Sequence, residues 1–242
     1  MNFFGRSHAG SVREENQDCF YCEELNASRA LFVVCDGMGG GPAGSTASRL
    51  GCDSFVAQVH RILEEPETPL PVEMLREAAS YANILVFDRS LADPACRGMA
   101  TTLVAAYLTP DKITVANVGD SRCYVIRGKK LVQITRDHSY VESLVQKGEI
   151  TREEAATHAR RNEITRALGF EYRVKSDVFS FVPHPGDRLL LCSDGLIGAL
   201  TENGAAELVR GAEDSVSGVN ALVEQALLHG ASDNITAVIC IL

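Results

Sequence analysis

The sequence predicts an α+β fold: a four-layer αββα sandwich, with two central antiparallel β-sheets flanked by helices. Three observations lead there. Strand-like segments after Gly98 follow one another closely, as in antiparallel meanders, without strict alternation with helices. The helical stretches fall in two blocks, one before those strands and one near the end. The chain has 242 residues, 45% of them hydrophobic, and shows no internal repeat, low-complexity tract or Pro/Gly/Ser linker. It therefore reads as one domain, 1–242, whose core needs no disulfides.

The strands are expected where β-branched and aromatic residues run between Gly, Asp or Pro. These are Ala30–Cys35, Thr102–Leu108, Lys112–Val118, Arg122–Arg127, Lys130–Ile134, Val174–Phe181, Arg188–Cys192 and Asn234–Ile241. Asp120-Ser121 and Arg127-Gly128-Lys129 read as hairpin turns. Helical periodicity runs from about Ala43 to Leu63 and, after Pro71, to about Leu91. In the second stretch Met74, Ala78, Tyr81, Leu85 and Asp88 are spaced like one face. Two further helices fit Glu202–Arg210 and Ser215–His229.

Composition excludes several function classes. A formal net charge of −9 argues against a groove that tracks nucleic acid, which needs clustered Lys and Arg. The same acidity suits a site for divalent cations, or serves solubility alone. The eight cysteines are scattered, several inside apolar runs such as Leu31–Cys35 and Leu189–Cys192. That usage fits reduced thiols acting as small hydrophobes in a cytoplasm. Cys19 and Cys22 form one C-x-x-C with neither a second pair nor a suitably spaced histidine for zinc. No signal peptide is evident, and the apolar runs fall well short of the ~18 residues that span a bilayer. A soluble, cytoplasmic monomer is expected.

The aspartates carry the chemistry. Asp36, Asp120, Asp194 and Asp233 each stand at the edge of an apolar strand beside Gly or Asn, and Asp18 ends Glu15-Asn16-Gln17-Asp18. A carboxylate at a strand end is held rigidly and can face a shared cleft, although a single Asp-Gly is more often only a turn. Five in such contexts, without His or Cys companions, fit Mg²⁺ or Mn²⁺ better than zinc. Arg13, just upstream of Asp18, offers a guanidinium fork for phosphate oxygens. Gly37-Met38-Gly39-Gly40-Gly41-Pro42-Ala43-Gly44 leads into a helix but is neither a P-loop nor a dinucleotide fingerprint.

The ordered set Arg13–Asp18, Asp36–Gly40, Gly98–Thr102, Asn117–Arg122, Cys192–Leu196 and Ser232–Thr236 resembles the metal-dependent protein serine/threonine phosphatases of the 2C type, in their compact bacterial form. The match covers essentially the whole chain. The family fold agrees with the layer order above. The resemblance implies that Asp36 bridges two Mn²⁺ or Mg²⁺ ions, that the Gly37 carbonyl ligates one, and that Asp194 and Asp233 complete the pair. It implies a third, weaker ion held by Asp120 with Asp194. Asp18 would act through water on the metal, Arg13 would grip the substrate phosphate, and Asn234 would support the ligands from behind. Catalysis would then use a metal-bridging hydroxide attacking phosphorus in line, on phosphoserine and phosphothreonine of proteins, opposed by a Ser/Thr protein kinase.

Three features differ from relatives. Gly41 stands where many bacterial members carry His, and Met38 where animal-type members do. The donor of the proton to the leaving oxygen is thus unassigned, with water on the metal preferred. Ser7-His8-Ala9-Gly10 replaces a more usual Thr-Asp-x-Gly and is expected to alter local packing only. Residues Asp137 to Gly169, bracketing His138 and His158 and carrying short helices at Tyr140–Lys147 and Arg152–His158, correspond to the family's flap. Asp137, Arg161 and Asn162 belong to it without a catalytic role, and either histidine is an ordinary hydrogen-bonded residue or one near the substrate. No cysteine precedes the glycine-rich loop and arginine of a tyrosine phosphatase. A catalytically inactive member, serving as an interaction or sensory module, is the alternative. The presence of Asp18, Asp36, Asp194 and Asp233 weighs against it.

Overall fold

A computed structural model describes residues 1–40 and 43–242; Gly41 and Pro42, and with them the expectation about Gly41, lie outside the described residues. One sheet contains β1 (Asn2–His8), β11 (Ile235–Ile241), β10 (Arg188–Cys192), β7 (Arg122–Arg127) and β8 (Lys130–Gln133), in that order. The other contains β2 (Asp18–Asn26), β3 (Arg29–Met38), β5 (Leu103–Leu108), β6 (Ile113–Val118) and β9 (Asp177–Phe181), with β4 (Ala100–Thr101) paired to the end of β3. Every pairing is antiparallel.

Period-two alternation builds the layers. Ala30, Phe32 and Val34 of β3 enter the core between the sheets, together with Val104, Ala106, Leu189, Leu191 and Val238. Their neighbours Leu31, Val33 and Cys35 face outward against α1 (Ala43–Leu63) and α2 (Pro71–Ala92). On the far side Leu190, Cys192, Ile235, Ala237 and Ile239 meet α5 (Asp194–Ala199), α6 (Glu202–Gly211) and α7 (Ser215–Leu228). The result is helix, sheet, sheet, helix, as the sequence predicts. All eight cysteines are free thiols, and among the described residues no helix is long and apolar enough to cross a membrane.

The differences are local. β1, β2 and α5 are absent from the sequence reading. β1 mixes Gly5, Arg6 and Ser7 with its aromatics, and its residues from Phe3 onward are half-buried, as befits an edge strand. The buried face of α2 runs through Met74, Ala78, Ala82, Val86 and Ser90, with Leu75 and Ala79 beside it, whereas Tyr81 and Asp88 are exposed. Steps of four keep small alanines toward α1; the expected shift to Tyr81 would have turned a ring into that close contact. Between β8 and β9 lie α3 (Tyr140–Gln146), capped by the Ser139 side chain, and α4 (Arg152–Thr157), opened by a Thr151–Glu154 capping box.

Antiparallel order gathers one set of strand ends. Asp18, first in β2, pairs with Asp36 near the end of β3. β6 runs toward the same end and delivers Asp120 two residues after Val118. In the other sheet Cys192, last in β10, pairs with Ala237 near the start of β11, so Asp194 and Asp233 flank one edge.

Candidate active site

Asp36 sits at the centre of this edge. Its backbone is held from both sides: its N–H donates to Thr102 Oγ1 at 2.8 Å, and its carbonyl accepts from the Thr102 N–H at 2.9 Å and from Thr101 Oγ1 at 2.9 Å. The Thr102 hydroxyl also meets Ser121 Oγ at 2.7 Å, joining this strand end to the turn that carries Asp120. The next residue is sterically reserved for glycine. A Cβ on Gly37 would lie 2.0 Å from the Gly44 carbonyl oxygen, so the first turn of α1 packs directly against its backbone.

Asp18 is oriented by hydroxyls. Ser193 Oγ donates to its Oδ2 at 2.7 Å and Thr236 Oγ1 at 2.6 Å. Behind Thr236 stands Ser7 Oγ at 2.7 Å, which in turn accepts from Asn16 Nδ2 at 2.7 Å. With the Thr236 hydrogen committed to the carboxylate, the chain is directional: Asn16 to Ser7 to Thr236 to Asp18. Ser193 thus spends its hydroxyl on Asp18 rather than capping α5.

Asn234 is buried and fully used. Its Oδ1 accepts from the Gln17 N–H at 2.8 Å, and its Nδ2 donates to the carbonyls of Ala9 and Glu15, each at 3.0 Å. It fastens the N-terminal loop carrying Arg13 to the start of β11. Arg13, expected on a phosphate, forks Asp233 here: Nε to Oδ1 and Nη2 to Oδ2, both 3.0 Å. That pair is open to solvent, with side chains 56% and 42% exposed.

The electrostatics ask for cations. Burial, then the charges of Asp194 and Asp233, push the Asp18 carboxyl up from 3.8 to about 7, against the pull of the Thr236 and Ser193 hydroxyls. Burial and then Asp18, Asp194, Asp120 and Asp233 push Asp36 well above the ordinary carboxylate range. Asp120 is raised by burial and by Asp194 and Asp137, with Arg122 opposing. Asp194 is raised by burial and by Asp233, while a hydrogen bond with Asp36 opposes. Asp18 Oδ1 and Asp120 Oδ1 are buried without a hydrogen-bond partner. Acceptor-only oxygens with no donor, crowded by like charge, fit hard divalent ions. Among the described residues no three acidic, His or Cys side chains already form a closed cage. Hydroxyls, Arg13 and the Asn234 N–H engage three of the four oxygens of Asp18 and Asp233, so the side chains neighbour one another without converging on one point.

A cleft of about 750 Å³ opens from Asp120 and Asp194 toward Val141, Arg152, Arg161 and Asn162. Arg122 lines it, paired with Asp137 at 2.7 Å and Glu202 at 3.0 Å. The structure thus brings together all the expected acidic residues, with Gly37, Asn234 and Arg13 beside them. The sequence reading missed Ser193, Thr236, Thr102 and Ser121. All four lie inside the quoted motifs, and a hydroxyl beside an acidic strand end was the available signal.

Residues 4–228 match the family model described as Protein phosphatase 2C. The chain belongs to the protein phosphatase 2C family. It has bacterial relatives of similar length. It is 36% identical over 241 residues to the serine/threonine phosphatase stp of Listeria monocytogenes, covering 97% of this chain and 93% of that one. The crystal structure of serine/threonine phosphatase Stp1 from Staphylococcus aureus superposes with a TM-score of 0.92 at 33% identity, covering 100% of this chain and 95% of that chain. The catalytic domain of serine threonine protein phosphatase PstP, solved in complex with 2 manganese ions, superposes with a TM-score of 0.83 at 34% identity, covering 98% and 96%. For this 2C-family chain, those ions match the cation class that the carboxylates themselves demand.

Proposed function

We propose that this chain is a metal-dependent protein phosphatase that hydrolyses phosphoserine and phosphothreonine on proteins. The observation carrying the reading is the crowding of Asp18, Asp36, Asp120 and Asp194 at one sandwich edge with unpartnered buried oxygens. Two Mn²⁺ or Mg²⁺ ions would be held by Asp36, the Gly37 carbonyl, Asp194 and Asp233, with Asp18 acting through water and a third ion at Asp120 and Asp194. Bound there, the cations supply Lewis acidity, offsetting phosphate charge and making water a competent nucleophile near neutral pH.

The chain's own groups do the positioning. Thr102 fixes the Asp36 backbone, and Ser193 and Thr236 aim Asp18. Asn234 holds the loop that places Arg13 at the mouth. With Asp233 serving as a metal ligand, the exposed guanidinium of Arg13 would be free to turn its fork to a phosphate. The cleft beneath residues 137–169 is wide enough for a peptide segment, which favours protein substrates and gives this flap a part in choosing among them. The same reading takes 1–242 as a single catalytic domain, monomeric and cytoplasmic, opposed by a Ser/Thr kinase.

Activity on p-nitrophenyl phosphate and on a phosphothreonine peptide should require added Mn²⁺ or Mg²⁺ and vanish with chelator, while a phosphotyrosine peptide turns over poorly. Undiminished turnover in chelator would refute the metal-dependent chemistry.

A further inference from the structure

His138 is buried at the start of the flap and has no part in the chemistry above. Its Nδ1 accepts the backbone N–H of Gly119 at 3.0 Å, so the ring proton sits on Nε2. Asp177 Oδ2, 3.2 Å from Nε2, takes that proton in a hydrogen bond. Arg166 Nη1 also approaches Nε2, at 2.9 Å, but its two hydrogens have acceptors in Asp177 Oδ1 and the Lys175 carbonyl, each at 3.0 Å. The main chain adds a second link, the His138 N–H donating to the Gly119 carbonyl at 2.9 Å. One residue therefore grips both polar backbone groups of Gly119.

Gly119 needs such a grip. Its φ is +105°, and a Cβ there would lie 2.6 Å from Thr102 Cγ2, so only glycine fits. Glycine brings no preference of its own for one conformation, and an outside contact must select it. The residue whose direction follows from that choice is Asp120. The far end of the flap returns to the same histidine: Thr165 N–H donates to the His138 carbonyl at 2.8 Å, and Ser139 bridges Ile164. Arg166 then locks onto Asp177 at 3.0 Å. Both flap ends and the Asp120 turn thus share one junction.

We propose that His138 is a positioning residue: its imidazole, oriented by Asp177, fixes Gly119 so that Asp120 faces the cation site and ties that aim to the seating of residues 137–169. The proposal rests on the reading of Asp120 as a cation ligand. A purely structural histidine would instead cost stability everywhere alike.

The experiment compares wild type, His138→Ala and His138→Gln by amide hydrogen exchange and by calorimetric titration with Mn²⁺ alone. Glutamine can still accept from the Gly119 N–H through Oε1 while its amide donates to Asp177. His138→Ala should speed exchange at 117–122 by about tenfold or more, with α1 and β3 unchanged. It should weaken the weakest resolved Mn²⁺ step by about tenfold, and His138→Gln should restore both. Unchanged exchange and Mn²⁺ binding in His138→Ala, equal acceleration in α1 and β3, or absence of rescue by glutamine would overturn it. If the alanine variant does not fold, His138→Gln carries the test: wild-type behaviour supports the assignment, and selective loosening of 117–122 overturns it. A wild type inert toward phosphopeptide defeats the proposed function and leaves the exchange result intact. An active wild type with an indifferent His138→Ala defeats the positioning role alone.

Discussion

Replacing Asp18 by Asn separates the cost of the carboxylate cluster from its use. The Asp18 carboxyl is raised from 3.8 to about 7 in the fold, first by burial and then by Asp194 and Asp233. Below about pH 4 folded and unfolded chains both carry the proton, and the group costs nothing. As pH rises from about 4 to 7 the unfolded chain releases it and the folded one does not, so stability falls; above about 7 the loss is complete. At ~1.4 kcal/mol per pKa unit the full penalty is about 4 kcal/mol. Asparagine never ionises and removes it. In chelator at pH 8, Asp18→Asn should therefore melt higher than wild type, by up to about 8–16 °C at ~2–4 °C per kcal/mol for a chain of this size. At pH 4 the advantage should disappear. Saturating Mn²⁺ should reverse the order, because wild type gains binding energy that the variant has lost. Differential scanning calorimetry at both pH values, with and without Mn²⁺, decides it. A variant no more stable than wild type at pH 8 in chelator, or an equal advantage at pH 4 and 8, would show that the buried Asp18 carboxylate carries no such penalty.

Two further outcomes test the site. Asp36→Ala and Asp233→Ala should each cut metal-dependent turnover by more than about 100-fold while circular dichroism stays native; a near-wild-type rate removes that residue from the site. Arg13→Ala should raise KM for a phosphopeptide roughly tenfold, since a charge-assisted hydrogen bond is worth about 1.5–3 kcal/mol, and leave Mn²⁺ affinity little changed; an unchanged KM leaves Arg13 as a surface partner of Asp233.

Much of this architecture is legible in the sequence because a strand buried on both faces reads as one unbroken apolar run. Ala30 to Cys35 sends odd and even residues into different cores, and Arg122–Arg127 and Arg188–Cys192 match their strands to the residue. β1 and β2 escaped because half-buried edge strands need no clean apolar run. α5 escaped because its six residues begin at Asp194 and read as a turn. At the site the acidic residues announce themselves by their Gly and Asn neighbours. Their supports do not: Thr236 reaches Asp18 across 218 positions and Ser193 across 175. His138 meets Gly119 only because the chain doubles back after β8. Local pattern names the ligand-type residues; tertiary contact names what aims them.

The placement of β11 bears on how the protein comes into being. It lies between β1 and β10, with Asn2 opposite Ile241, and Asn234 at its head secures the loop that begins the site. A ribosome must therefore deliver residues 235–241 before β1 has a neighbour in its sheet. Competence arrives all at once, when β11 slots between β1 and β10, and a nascent fragment that lacks this strand has no completed site.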